Sequence, residues 1–356
     1  MVAAVTTPRR AIPRRIKFGI AASTLFVLAA QLACGPSTPS GAATPSPAAT
    51  CHALQVQEQQ VTLDPADTPT AGFALPAGTQ PVGIVRDLDG TSVWLLGTGN
   101  NRLMHVMPNG AATEYQLPVS GLGIQLSQAA DGTVWAPEQF RDAVVAIATD
   151  GTARECSLPR KNVEPSSTSA AADGSVWVSE GRGSAVARFE NGRFTEYPIG
   201  VSGAKGAEVL AAAGGGAWFT VFGAPVLGHV TAQGEVERIP IGGSGTSLGL
   251  LQTPDGAVWV ADFDGDRVVR VTPDRQLHVW TAPAGAKPQG LALGPAGVVW
   301  VTESGTDQIA SVRGSSLEQA YKTGNWPDHL AITTDGWAWF TEYNQGRLGR
   351  VLLPAT

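Results

Sequence analysis

The stretch NWPDHLAITTDGWAWFTE, residues 325–342, contains the repeated pattern from which the fold can be predicted. An apolar run at 330–332 is followed by the pair Asp335-Gly336 and then by Trp339. An Asp-Gly pair between two apolar runs is a strong hairpin signal, because a type I′ turn needs positive φ at both central residues. The stretch therefore predicts two antiparallel strands, with the indole on the second.

The same frame occurs seven times along the chain. Successive tryptophans are 41, 42, 41, 41, 41 and 39 residues apart, and most follow a turn pair such as Asp255-Gly256. The seven tryptophans are Trp94, Trp135, Trp177, Trp218, Trp259, Trp300 and Trp339. A repeat of about 40 residues with short strands is typical of propeller blades, in which four-stranded sheets stack around a central channel.

Each repeat predicts four strands. Strand A is the apolar run before the turn, strand B carries the tryptophan, strand C follows, and strand D closes the repeat, as in TEYQLP (113–118). One large indole per repeat suits the interface between neighbouring blades. The sequence therefore predicts an all-β fold, a seven-bladed β-propeller of four-stranded blades over residues 66–354.

The seventh repeat ends after its strand C, whereas TAGFALPAG (70–78) lies upstream of the first repeat as a strand D without its own blade. We expect this N-terminal strand to complete the last blade. Closing the ring in this way removes an exposed sheet edge.

The N-terminus has the pattern of an export signal. Basic residues at positions 9, 10, 14, 15 and 17 precede an apolar stretch at 18–30. This pattern predicts a signal peptide over residues 1–33, and its apolar stretch is too short for a stable membrane span. A small residue before Cys34 resembles a bacterial lipobox, in which the cysteine is lipidated. We expect a lipid anchor at Cys34 on the extracytoplasmic side of a bacterial cell membrane; ordinary secretion is the alternative.

Residues 34–65 are predicted to form a flexible tether, because GPSTPSGAATPSPAAT (35–50) lacks the apolar residues of a core. Loss of the signal peptide removes five positive charges from a net charge of −6 and leaves about −11. This charge argues against nucleic acid and anionic lipid as partners, so we expect membrane contact through the lipid anchor only. A small molecule, a cyclic peptide or an envelope protein is the expected partner of a monomer.

Cys51 and Cys156 remain after processing and could pair outside the cytoplasm. The alternative is two unrelated thiols, with Cys156 at a position where other repeats carry tyrosine. The sequence leaves both open.

Three motifs, WVTE (300–303), WFTE (339–342) and GRLGRV (346–351), carry a family resemblance. They resemble the streptogramin lyase (virginiamycin B lyase) family of seven-bladed propellers, over roughly residues 66–354. Lyases of this family are understood to open a cyclic depsipeptide by elimination at its ester bond, with a magnesium ion. We expect a membrane-tethered, extracytoplasmic module that binds a ligand or a protein; the resemblance implies a carbon–oxygen lyase as the alternative.

The resemblance also implies where catalytic residues would lie. In the family, a histidine follows the proline that begins strand A of the last blade, and a glutamate precedes that proline. A second glutamate lies four places after the last repeated tryptophan, and a further histidine follows the proline one blade earlier. In this chain, these positions hold Asp328, Trp326, Tyr343 and Gln289, respectively. His329 and Glu342 each lie one place away, and one place in a regular strand moves a side chain to the opposite face.

Chain direction places the start of strand A and the end of strand B on the same face, beside the channel mouth. His329 is the histidine near that mouth, so it is the candidate general base, with Asp328 and Glu342 as its candidate catalytic partners. The alternative is a histidine that only makes local hydrogen bonds.

Acidic residues recur three places after the tryptophan in five of the seven repeats. If Asp262, Glu303 and Glu342 converge, their oxygens suit a hard cation such as magnesium. The alternative is that each carboxylate caps its own loop. Four more residues at the mouth are predicted to contact a ligand, with two aromatic rings as a wall for a sugar or cyclic peptide: Gln289, Lys287, Trp326 and Tyr343.

Overall fold

The computed structural model describes residues 44–67, 69–118, 121–201, 203, 205–243 and 245–354. In this part of the chain the strands form seven antiparallel sheets, which confirms the predicted seven-bladed propeller. The predicted signal peptide and Cys34 lie outside the described residues. Among the helices of the described part, none has the length and apolar character to cross a bilayer.

Strands A to D follow one another from the channel outward in each blade, and the blades are numbered in the order of their tryptophans. The A strands are Pro81–Arg86, Ser127–Gln128, Pro165–Ala170, Lys205–Ala211, Ser247–Gln252, Pro288–Leu293 and Pro327–Ile332. The B strands are Val93–Gly97, Val134–Glu138, Val176–Glu180, Ala217–Phe222, Val258–Asp262, Val299–Glu303 and Trp337–Glu342. The C strands are Arg102–Val106, Ala143–Ile147, Ala185–Glu190, Val226–Val230, Arg267–Val271, Gln308–Arg313 and Arg347–Leu352.

The D strands form the outer part of each blade. They are Ala111–Gln116, Ala153–Ser157, Arg193–Pro198, Val236–Pro240, Leu277–Thr281, Ser316–Lys322 and, in blade 7, Ala71–Ala74. Short 3-10 helices in the described part of the chain span Gln139–Arg141, Pro295–Gly297, Ser304–Thr306 and Tyr343–Gln345.

The repeated tryptophans pack between neighbouring blades, as predicted. Trp135 of blade 2 lies in a hydrophobic cluster with Val178 of blade 3. Trp339 of blade 7 lies in a cluster with Ile84 and Leu95 of blade 1, so the apolar contact also joins the last blade to the first. Truncating a buried aromatic side chain of this kind typically costs about 3–5 kcal/mol.

The N-terminal strand closes the ring, also as predicted. Ala71–Ala74 pairs antiparallel with Arg347–Leu352 of blade 7. The guanidinium of Arg347 donates hydrogen bonds to the carbonyl oxygens of Ala66 and Thr70, which lead into this strand. One buried cation therefore fixes the start of the closing strand.

Residues before the closing strand add a fifth strand to three blades. Gln57–Thr62 pairs with strand D of blade 1, Cys51–Leu54 with that of blade 2 and Thr44–Ala48 with that of blade 3. Residues 34–65 are predicted to be a flexible tether, whereas residues 44–62 run mostly in strands. The difference has a physical reason: an added edge strand is held by backbone hydrogen bonds, which polar sequence makes as well as apolar sequence.

Cys51 and Cys156 form a disulfide that fastens the fifth strand of blade 2. The two cysteines are directly opposite in the strand pairing, with an S–S distance of 2.08 Å. The bond joins residues 105 positions apart. Of the two possibilities that the sequence leaves open, the structure shows the pairing.

Candidate functional site

A β-bulge shapes the start of strand A at the channel mouth of blade 7. Between Pro327 and Leu330 the register with strand B shifts, so Asp328 and His329 together oppose a single residue. Blades 1, 4, 5 and 6 have the same shift. A bulge interrupts the alternation of side chains between faces. The offset of one place between His329 and the family position therefore does not turn its side chain away from the channel.

The imidazole of His329 is buried and bonded on both sides. Its Nδ1 lies 2.5 Å from Oδ1 of Asp328, and its Nε2 lies 2.6 Å from Oε1 of Glu208. Only 2% of His329 is exposed, and both carboxylates are buried as well. Glu208 belongs to strand A of blade 4, three blades away around the ring. The contact between Glu208 and His329 therefore spans the central channel.

These contacts keep His329 in its charged form. Burial lowers the pKa of His329, but the carboxylates of Glu208 and Asp328 outweigh burial and raise the pKa to about 10. At neutral pH the ring then carries two N–H protons, one donated to each carboxylate. An imidazolium in this state has no lone pair with which to accept a proton from a substrate.

Glu208 is one site residue that the sequence analysis does not identify. It occupies the bulge position of blade 4 that corresponds to His329 in blade 7. The backbone N–H of Glu208 donates to Oγ1 of Thr220, just as that of His329 donates to Oγ1 of Thr341. The sequence repeat does mark Glu208 as unusual, because three other blades have glycine at the equivalent position: Gly83, Gly249 and Gly290.

The strands A of blades 6 and 7 approach closely beside His329. A Cβ on Gly290 would lie 2.7 Å from the Cα of His329, so only glycine fits there. The hydroxyl of Thr302 donates to the carbonyl of Asp328 at 2.6 Å, and that of Ser304 donates to the carbonyl of Pro327 at 2.6 Å. Blade 6 thus holds the backbone that carries the histidine.

Glu342, a predicted catalytic and metal-binding residue, is engaged within its own blade. Its carboxylate accepts hydrogen bonds at 2.8 and 2.9 Å from Nη1 of Arg347 and at 2.8 Å from the backbone N–H of Gly324. No hydrogen bond joins Glu342 to His329 in the described part of the chain. Of the predicted catalytic residues, the structure brings together His329 and Asp328 but not Glu342.

The other two predicted metal ligands are also held locally. Asp262 accepts from Nε of Arg267 at 2.6 Å, and Glu303 accepts from Nε2 of Gln308 and, at 3.2 Å, from the hydroxyl of Thr306. Within the residues that the structure describes, Asp262, Glu303 and Glu342 are not gathered as a group with oxygens within 4.8 Å of one another. Their partners are mostly the side chains that begin strand C, rather than the backbone amides of a loop.

These residues do not fit a magnesium ion. Magnesium needs near-octahedral oxygen ligands, and both oxygens of Glu342 already accept from Arg347. The two positions at which the family pattern has glutamate hold Trp326 and Tyr343. We therefore assign no step at this site to a metal.

Two of the predicted ligand-binding residues, Lys287 and Trp326, each lie beside Phe263 at the channel mouth. The Nζ of Lys287 lies 4.5 Å from the centre of the Phe263 ring, and the rings of Phe263 and Trp326 are 6.3 Å apart. All three side chains are partly exposed. We call Phe263, Lys287 and Trp326 the rim patch; Phe263 is a residue that the sequence analysis does not identify.

The backbone conformation at the rim patch is a repeated feature of the fold. Lys287 and Trp326 each precede the proline of a strand A and have positive φ, 52° and 61°. The backbone N–H of Lys287 donates to Asp266, and that of Trp326 donates to Asp307. The hydrogen bonds to these aspartates offset the energetic cost of the left-handed backbone conformation at Lys287 and Trp326.

The other two predicted ligand-binding residues lie apart from the rim patch. Gln289 is buried, and the end of its side chain lies 2.9 Å from the hydroxyl oxygen of Ser304. Tyr343 packs against the hydrophobic cluster between blades 1 and 2. Of the four predicted contacts, Lys287 and Trp326 are the two that share one exposed surface.

The fold and the mouth define a seven-bladed propeller whose channel is crossed by a charged pair. The virginiamycin B lyase family model matches residues 43–247 and 243–355, so the chain belongs to that family. A virginiamycin B lyase of Nocardia farcinica (strain IFM 10152) is 36% identical over 189 residues, which cover 51% of this chain and 63% of that protein. The match therefore spans less than two thirds of that relative.

Solved structures agree with the fold. A streptogramin B lyase structure superposes with a TM-score of 0.73 at 20% identity and covers 83% of this chain and 97% of its own. Virginiamycin B lyase from Staphylococcus aureus gives 0.73 at 22% identity, covering 84% and 100%. A catalytically inactive form of that lyase with quinupristin gives 0.72 at 23% identity, again covering 84% and 100%. At these identities the likeness concerns the fold.

Proposed function

We propose that the protein is a non-catalytic binding propeller that takes a cyclic peptide at the channel mouth. The observation that supports this proposal is the state of His329, which is buried and bonded through both ring nitrogens to Glu208 and Asp328. A general base needs a free lone pair and contact with the substrate. In this arrangement His329 has no free lone pair, and only 2% of it is exposed for contact with a substrate.

The rim patch supplies the surface for such a ligand. Phe263 and Trp326 offer partly exposed rings to the apolar side chains of a cyclic peptide, and Lys287 offers an ammonium donor to its carbonyl groups. A few polar groups among aromatic side chains are typical of small-molecule recognition. Binding at the rim patch does not require His329 to change its protonation state.

Family membership favours a second candidate function, the opening of a cyclic depsipeptide by elimination at its ester bond. In that reaction His329 would take a proton from the substrate. Glu208 would first have to withdraw from Nε2 of His329, and the ring would have to lose the proton that both carboxylates stabilise. The structure thus sets two conditions that a lyase would have to meet.

Quinupristin is a probe that separates the two functions. Isothermal titration calorimetry measures its binding. Reversed-phase chromatography with tandem mass spectrometry detects ring opening, since elimination leaves the mass unchanged. We expect binding without a new product, with or without added magnesium. A product that disappears in His329→Gln would establish the lyase instead.

Trp326→Ala tests the place of binding. Truncating a tryptophan that anchors a ligand typically weakens affinity by about tenfold or more. Phe140→Ala is the matched control. Phe140 is also aromatic and is 68% exposed, and its ring makes no ring contact with the rim patch among the described residues. Equal affinity of both variants for quinupristin, or no binding by the wild type, would overturn a cyclic-peptide site at the rim patch.

We also propose that the protein is anchored by a lipid on Cys34 at the extracytoplasmic face of a bacterial cell membrane. The export pattern of residues 1–33 supports this, and so does the disulfide between Cys51 and Cys156, since disulfides persist outside the cytoplasm. Cys34→Ala should release the protein from the membrane fraction, whereas Cys51→Ser should leave it there. Unchanged partitioning of Cys34→Ala would contradict the anchor.

A further inference from the structure

A cavity of about 260 Å³ lies among the A strands of blades 1 to 5. Its lining includes Arg86 and Leu88, at the end of strand A of blade 1 and just after it. Lys287 and Trp326 instead precede their A strands. The cavity therefore opens on the face of the disc opposite the rim patch.

Glu208 lines this cavity with one carboxylate oxygen unused. Its Oε1 is bonded to Nε2 of His329, and its Oε2 accepts no hydrogen bond from any residue that the structure describes. The side chain is 5% exposed. This oxygen is not fully buried, so it is accessible from the cavity and can accept a hydrogen bond from a ligand there.

The net charge of the groups in the channel indicates that this ligand is a cation. Glu208, Asp328 and His329 have a net charge of −1 when the ring is an imidazolium between two carboxylates. The net charge is the same when the ring is neutral and one carboxyl is protonated. In either case one negative charge remains on these three buried groups, whereas Arg86 is exposed at the cavity, where solvent screens its charge. A cation that pairs with the buried charge is attracted to it more strongly than in bulk water.

The walls indicate the rest of the ligand. Val85, Leu210 and Leu250 line the cavity with aliphatic side chains, and Leu88 is 60% exposed at its opening. A cation with a short alkyl chain matches a carboxylate at the inner end and apolar walls along the sides.

We propose that this cavity binds a small primary alkylammonium ion, which donates to Glu208 and lays its alkyl chain along Val85, Leu210 and Leu250. The site lies on the other face from the rim patch, so it goes beyond the proposed function and does not depend on it.

Titration with n-butylammonium tests the proposal, with n-butanol as the neutral probe of equal length. We expect n-butylammonium to bind and n-butanol to bind at least tenfold more weakly, because a hydrogen bond to a charged group contributes about this much. Glu208→Gln should lower the affinity for n-butylammonium about tenfold on the same grounds. Equal affinities of the two probes would overturn the proposal.

Arg86→Gln should change the affinity for n-butylammonium in the opposite direction to Glu208→Gln. Arg86 is exposed at the cavity, and its hydrogen bond to the carbonyl of Ile332 is long, 3.5 Å, so the variant should fold as the wild type does. Removing this positive charge should raise the affinity for n-butylammonium about threefold in low salt and less in high salt. This variant decides the matter even if Glu208→Gln unfolds. An unchanged or weaker affinity of Arg86→Gln would contradict the site.

Discussion

His329 of blade 7 is bonded to Glu208 of blade 4 across the central channel, with 2.6 Å between Nε2 and Oε1. The two residues are 121 positions apart in the sequence. They occupy the same bulge position of their respective blades, so the ring geometry brings equivalent positions to one point on the channel axis. The pair makes the histidine a fixed charged residue rather than a free base.

Arg347→Ala should destabilise the protein more than the loss of an exposed cation does. The variant leaves the buried carboxylate of Glu342 without its guanidinium and frees the carbonyl oxygens of Ala66 and Thr70 beside the closing strand. Breaking a buried pair from one side typically costs about 3–5 kcal/mol. Chemical denaturation measures the change in the free energy of unfolding.

Arg313→Ala is the control for this prediction. Arg313 and Glu318 form an exposed pair 3.6 Å apart. Such a pair contributes less than about 1 kcal/mol. Similar small losses in Arg313→Ala and Arg347→Ala would show that the closing strand does not depend on Arg347.

Cys51→Ser should lower stability through the loss of the disulfide to Cys156. Cys51 is exposed, so its substitution removes little packing. Loss of such a bond typically costs about 2–4 kcal/mol. In thermal unfolding, a reductant should lower the Tm of the wild type to that of Cys51→Ser and leave the variant unchanged. A wild-type Tm that does not change when reductant is added would contradict a stabilising role of the disulfide.

Glu138→Gln should stabilise the protein at alkaline pH. Glu138 is fully buried, and neither carboxylate oxygen has a donor among the described residues. Burial raises the pKa of Glu138 to about 8; the charge of nearby Glu155 adds to the rise, while Arg141 opposes it. Because the unfolded chain loses this proton near pH 4.5, the folded state loses stability as the pH rises from there through 8.

Denaturation at two pH values measures this effect. Glu138→Gln should gain about 2 kcal/mol or more over the wild type at pH 8.5 and little at pH 5. The exposed Glu235 provides the control variant, Glu235→Gln, whose stability difference should not depend on pH in this way. A destabilised Glu138→Gln at pH 8.5 would mean that an ionised Glu138 is favourable in the fold.

The fold could be predicted from the spacing of one residue type, because each blade has to place an indole at the same depth against its neighbour. Trp339 shows this best, since it packs on blade 1 and so reports ring closure. The fifth strands were not predictable on the same grounds. Gln57–Thr62 has a mostly polar sequence, and its place is set by backbone pairing on an existing edge.

The candidate site was predictable only in part. His329 and Asp328 could be assigned to the mouth from chain direction, and Lys287 and Trp326 could be assigned to its rim. Glu208 could not be connected with them, because a contact across the channel follows from ring closure and from a bulge in each strand. The pairing of Glu342 with Arg347 likewise depends on where strand C begins.

A measurement of the protonation state of His329 tests whether Glu208 and Asp328 hold this ring in its charged form. Long-range ¹H–¹⁵N correlation spectra show whether each imidazole nitrogen carries a proton, and the His329→Gln variant assigns the signals. With its pKa raised from 6.5 to about 10, the ring contributes stability that is complete below pH 6.5 and is lost as the pH rises through 10. We expect both ring nitrogens of His329 to remain protonated at pH 8. A ring that titrates near pH 6.5 and is neutral at pH 8 would contradict it and make His329 available as a base.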